Sequence, residues 1–134
     1  MNPAELNWLA VFLAALSSFL IGGVWYSPIL FGKAWMEDNG FAPADLEGGN
    51  PAKIFGGSFV LALIIATNLA MFIGKDPNIG FAAFAGAAAG VGWVSASTGV
   101  IFLFERRGFR LFAIHAGYHT LTYTLMGVIL GLMG

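Results

Sequence analysis

The chain has 134 residues, 58% hydrophobic and only 10% charged, with no cysteine and a formal net charge of −1. About a quarter of a soluble domain is normally charged, so these numbers exclude an ordinary water-covered surface. The near-neutral balance excludes a basic field for nucleic acid, and the missing cysteine excludes disulfides, thiolate metal sites and thiol nucleophiles. With a mean hydropathy of +0.81, the bilayer is the expected solvent, and the length suits one domain.

The first apolar stretch covers about residues 6–26. It is preceded by no Lys or Arg and leaves through Trp25, Tyr26 and Pro28. It is therefore read as an uncleaved span and not as a signal peptide. Pro28 should end the helix. Residues 29–36 mix apolar side chains with Lys33, which suits either an interfacial segment lying on the membrane or an ordinary loop. Trp25, Tyr26, Lys33 and Trp35 are candidate interfacial anchors. Residues 37–51 are rich in turn formers and should lie in water.

Three further apolar stretches follow, at about 54–73, 79–104 and 109–133, joined by short turns. Each of the four reaches the roughly 20 residues that a helix needs to cross the hydrocarbon. Lipid offers the backbone no partners, and period-two alternation is absent, so helices are expected and a barrel is not. The expected fold is an all-α, integral membrane four-helix bundle, with a short interfacial segment after the first helix and a single transmembrane domain over 1–134.

Orientation follows from the basic residues. Lys33, Lys53, Arg106, Arg107 and Arg110 lie on one side, against Lys75 on the other. The positive-inside rule places the first side in the cytoplasm and both termini outside, in a multi-pass protein of the inner membrane. Arg106, Arg107 and Arg110 are read as an interfacial cluster that fixes topology, in preference to a headgroup site.

Small residues recur four apart in every stretch: Ala14, Ser18 and Gly22; Ser58, Ala62, Ala66 and Ala70; Ala82, Gly86 and Gly90; Gly127 and Gly131. Residues so spaced share a helix face and let backbones approach, and packing inside one bundle is preferred here to a dimer seam. The third stretch, rich in Gly and Ala, is expected to be the central helix. It carries Trp93 near its middle, whose indole N–H needs a partner; Ser95, Ser97 and Thr98 are nearby.

The fourth stretch holds the chemistry. His115, Tyr118, His119, Thr122 and Met126 form one stripe. Ionisable side chains within a span normally face the bundle interior or a cavity. His115 lies about 7–8 Å along the axis from Arg110, and His119 one turn deeper, which makes His119 the stronger candidate. The preferred reading is a neutral His119 hydrogen-bonded to a hydroxyl or carbonyl, so that His119→Gln is tolerated and His119→Leu destabilises. Histidines four apart can share a metal, but no glutamate lies between or beside them, and no metal or other cofactor is expected. Asn68 is the other polar side chain at depth, a candidate for interhelical bonding to His119 or Trp93. No nucleophile–base pair, phosphate loop or paired intramembrane carboxylate appears.

Two runs carry a family resemblance. The first joins Asn7-Trp8-Leu9-Ala10-Val11, Gly23-Val24-Trp25-Tyr26-Ser27-Pro28 and Phe31-Gly32-Lys33-Ala34-Trp35-Met36. The second joins Leu103-Phe104-Glu105-Arg106-Arg107, Gly117-Tyr118-His119 and Met126-Gly127-Val128-Ile129-Leu130-Gly131. Together they resemble domain of unknown function 1761, a family of small, mainly bacterial membrane proteins. The resemblance implies a four-helix membrane protein with no assigned activity. It also implies that a two-histidine metal site is no family property, since the family pattern more often has Asn at the position of His115. Three functions are expected, in this order: a non-enzymatic binding or accessory protein for lipid, a small ligand or a larger membrane complex; a small oligomeric channel or transporter; and a His-dependent membrane enzyme. The partners implied are membrane lipids and a homo-oligomer or larger complex, and no nucleic acid.

Overall fold

The computed structural model describes residues 3–46 and 49–134, so part of the leader and of the 37–51 loop lies outside the described residues. Within them the chain is helical and has no strand. Four long helices, α1 (Trp8–Trp25), α3 (Pro51–Ile73), α4 (Ile79–Glu105) and α5 (Phe109–Met133), accompany a short α2 (Gly32–Asn39). Short 3₁₀ turns lie at Pro3–Glu5 and Pro43–Leu46.

Asparagine starts three of the long helices. The side chains of Asn7, Asn50 and Asn78 accept from the backbone N–H groups of Ala10, Lys53 and Phe81 at 3.2–3.3 Å, each satisfying a donor that the first turn leaves unpaired. Pro51 follows Asn50 at the first helical position, where its missing N–H is harmless. Gly74, at φ +88°, ends α3. Helix α4 relaxes into π-helical winding over Gly90–Ser95.

Helices α1, α3 and α4 are each long and apolar enough to cross a membrane. Helix α5 has the length, at 25 residues, but its His, Tyr and Thr side chains dilute it. Large apolar side chains such as Leu20, Phe55, Phe84 and Leu103 point outward. That surface would be an aggregation hazard in water and is ordinary in lipid.

The helix expected to be central is not. Helix α4 buries one narrow face, whereas α5 is buried at intervals from Leu111 to Leu130 and packs against each of the other helices. The reason lies in the glycines. A Cβ on Gly86 would collide with the Tyr123 carbonyl, and one on Gly127 with the Ala82 carbonyl. A Cβ on Gly90 would come within 3.0 Å of the His119 carbonyl, and one on Gly131 within 2.9 Å of the Ala82 side chain. These positions bring α4 and α5 into backbone contact along one seam. Large residues on the other side of α4 remain outside. The same packing continues on α1, where Ala14 and Ser18 are buried and Gly22 meets the Tyr118 ring, and on α3 at Ala62, Ala66 and Ala70. Ser58, of the same stripe, is exposed.

The segment after α1 also differs from expectation. Residues 27–31 form a tight turn in which Phe31 N–H donates to the Trp25 carbonyl (3.0 Å) and Gly32 N–H to the Ser27 carbonyl (2.9 Å). A side chain at Gly32 would overlap the backbone of Tyr26 and Ser27, so the turn requires glycine. Helix α2 then runs through Glu37, Asp38 and Asn39, which the sequence assigned to the aqueous loop. These three residues are held by arginines from the far end of the chain, a contact that no local pattern contains.

Candidate functional site

The turn after α1, helix α2 and the first half of α5 meet at one end of the molecule. Arg110 donates from Nε to Asp38 Oδ2 (2.8 Å) and from NH2 to Asp38 Oδ1 (2.5 Å), with Glu37 at 3.4 Å. This two-pronged pairing holds the Asp38 carboxyl below its usual range, chiefly through the hydrogen bond from Arg110. Arg107 donates to the Asn39 side chain, and its guanidinium stacks 5.0 Å from the centre of the Phe102 ring. Arg106 adopts a left-handed conformation, φ +55°, where α4 ends; its backbone N–H donates to the Leu103 carbonyl (3.3 Å), and its side chain makes no bond to a described residue. Arg107 and Arg110, expected as part of an interfacial cluster, thus also dock α2.

Deeper in, α1 is tied to α5 by three polar contacts. Trp25 donates its indole N–H to the Ile114 carbonyl (2.9 Å), and its ring covers Gly117. Tyr26 Oη and His115 Nδ1 share a hydrogen bond of 2.7 Å. Tyr118 donates its hydroxyl proton to the Ser18 carbonyl (3.1 Å). The Tyr26 ring centre lies 5.3 Å from that of Tyr118, 5.7 Å from His115 and 6.0 Å from Trp35. Trp25 and Tyr26, expected as interfacial anchors, therefore spend their polar atoms inward on α5. Their N–H and O–H donors at the end of an apolar helix were the available signal. Lys33 and Trp35 lie on α2 beside them, lining a shallow surface groove.

His119 does not make the bond expected of it. No described residue hydrogen-bonds its imidazole, which has ring contacts with Tyr118 and Tyr123. It lines a groove of about 240 Å³ between α1, α3 and α5, together with Ser18, Ser58, Tyr118 and Thr122. Apolar side chains including Phe19, Leu61 and Ile65 complete the walls. Thr122 is 3% exposed, yet its hydroxyl has no hydrogen-bond partner of acceptable geometry, although Tyr118 lies nearby on the same face. Buried hydroxyls are normally satisfied, in helices often by the carbonyl four residues back, as Thr120 and Thr124 are here.

The remaining sequence candidates lie elsewhere. Asn68 donates to the Ile64 carbonyl of its own helix (2.9 Å) and does not reach His119. Trp93 is 66% exposed, turned outward from the π-helical segment, with its ring against Phe72 (5.9 Å). The serines and threonine near it bond backbone carbonyls or lie apart, so the N–H partner expected for Trp93 is not among them. Asn68 and Trp93 do share a second groove, of about 300 Å³ between α3 and α4. Among the described residues, no three His, Asp or Glu side chains come together as metal ligands.

The two sequence runs that carry the resemblance thus meet in space. Trp25 from the first covers Gly117 from the second, and Tyr26 packs on Tyr118. Residues 9–131 match the family described as protein of unknown function, DUF1761. The chain belongs to that family. The DUF1761 match takes in α1 through α5, save Trp8 at one end and Leu132 and Met133 at the other, and every residue of the His119 groove. No curated protein and no solved structure matches the chain.

Proposed function

We propose that this DUF1761 protein spans the inner membrane four times, with α5 as the fourth span, and binds a lipid-like amphipathic molecule without transforming it. The observation that carries this reading is His119, bonded by no described residue, on the wall of a groove whose other faces include Phe19, Leu61 and Ile65, with the unpaired Thr122 hydroxyl buried behind it. A neutral imidazole offers one donor and one acceptor, and a hydroxyl offers both. A ligand with a hydroxyl or carbonyl at its head would pair with the imidazole, and its chain would cover Phe19, Leu61 and Ile65. The first two turns of α3 are exposed through Ser58, so the groove can fill sideways from the bilayer. No carboxylate lines the groove to act with His119 as acid or base, which supports binding over catalysis.

Native mass spectrometry of protein released from its own membrane tests the reading. One bound amphipathic molecule is expected. Ser58→Phe, which fills the groove mouth from an exposed position, should lose it at unchanged melting temperature. Ligand-free wild-type protein, or retention in Ser58→Phe, would refute the proposal.

A further inference from the structure

A further groove, sharing no lining residue with that of His119, lies between α4 and α5 at the arginine end. Gly99, Val100, Leu103, Phe109 and Phe112 wall about 420 Å³ of apolar space, and Arg107 is the one charged residue among its lining. Gly99 is set against the Phe112 ring, where a Cβ would come within 3.1 Å. Leu103, Phe104 and Phe109 around it are 80–85% exposed, so this end of the molecule presents aromatic and aliphatic surface beside cationic surface.

Three acids meet three arginines at this end, but both bound carboxylates go to Arg110, and neither Arg106 nor Arg107 is paired with a carboxylate of a described residue. Asp38 and Glu37 are taken by Arg110. Arg107 gives one N–H to the uncharged Asn39, leaving four of its five donors. The Arg106 side chain makes no bond to a described residue. Glu105 is the one remaining acid in the turn, against two arginines. Arg107, unpaired with any carboxylate, on the lining of an apolar groove matches one occupant: a phospholipid whose headgroup is net anionic, with its phosphate at Arg107 and the adjoining Arg106 and an acyl chain along Val100 and Phe112. An arginine fork suits phosphate oxygens, and basic pockets between helix ends on the cytoplasmic side attract anionic headgroups. Phe102, stacked beneath Arg107, holds that guanidinium at the rim.

We infer that the groove between α4 and α5 is a binding site for an anionic phospholipid, with Arg106 and Arg107 holding the phosphate. The inference rests on the membrane-spanning reading of both helices and not on the ligand near His119.

The test measures affinity by native mass spectrometry of the full chain in detergent. The probes are phosphatidylglycerol and phosphatidylcholine with identical acyl chains, with inorganic phosphate as competitor. Phosphatidylglycerol should bind at least about tenfold more tightly. Replacing both arginines, Arg106→Gln with Arg107→Gln, should erase that preference. Val100→Phe should weaken phosphatidylglycerol about tenfold by filling the channel, at unchanged melting temperature, which separates lost binding from lost fold. Ser58→Phe should leave the preference intact, so failure here and failure at His119 are distinguishable. Equal affinity for the two lipids, a preference that survives the double variant, or full binding in Val100→Phe would overturn the site. Displacement of the lipid by inorganic phosphate would overturn it too, by making it a site for a soluble anion.

Discussion

Leucine at Gly127 should disrupt the seam between α4 and α5 and cost more stability than any other single change proposed here. A Cβ at this position already meets the Ala82 carbonyl and lies 3.3 Å from Ala83 Cα, so the obstacle is backbone and cannot rotate away. Overpacking against side chains costs about 1–3 kcal/mol, and an immovable carbonyl raises that cost. Helix association in lipid rests on such close packing, because there is no hydrophobic drive to replace it. Gly57→Leu is the control: nothing lies within 4 Å of a Cβ there, and leucine favours the helix. Thermal unfolding in detergent should show Gly127→Leu melting far below wild type and Gly57→Leu close to it. Equal melting of the two would show that the seam does not hold the fold.

The two histidines should part company when each is replaced. His115 is bonded to Tyr26 at 2.7 Å, so His115→Leu leaves the tyrosine hydroxyl unpaired, at about 1–3 kcal/mol. His115→Gln keeps a donor and an acceptor and should be tolerated. His119 bonds no described residue, so His119→Leu should unfold at or above the wild-type temperature and lose the bound amphipath. This reverses the pattern that depth alone suggests, in which the deeper histidine is the structural one. A destabilised His119→Leu with an unaffected His115→Leu would restore that pattern and remove His119 from the groove.

The sequence is legible here where the physics is one-dimensional. Apolar length located the four long helices to within a few residues, and the small-residue spacing at Gly86, Gly90, Gly127 and Gly131 marked the close seam. The α5 stripe placed Tyr118, His119 and Thr122 on one groove wall. What failed needed a partner from another helix. Whether α4 or α5 is central depends on how many neighbours each has, and a Gly-rich face specifies only one. Trp93, mid-helix, was expected to find an N–H partner among nearby hydroxyls, but it is turned outward from the π-helical segment. The Tyr26–His115 bond and the docking of α2 by Arg107 and Arg110 join residues 68–89 positions apart, beyond any local pattern. The orphaned Thr122 hydroxyl has no sequence signature, since Thr120 and Thr124 beside it are satisfied by their own helix.

Helix α5 is the one long helix that composition alone does not qualify to cross the bilayer, and a four-span topology stands or falls with it. Single cysteines at Glu5, Asp45, Asn78 and Gly108, and one added after Gly134, can be labelled in intact cells with a membrane-impermeant thiol reagent; the chain has no cysteine of its own. The basic-residue asymmetry leads us to expect labelling at Glu5, at Asn78 and after Gly134, with Asp45 and Gly108 protected until the membrane is opened. Protection of the cysteine after Gly134 together with that at Gly108, while Glu5 and Asn78 react, would mean that α5 does not span and that the four-span account is wrong.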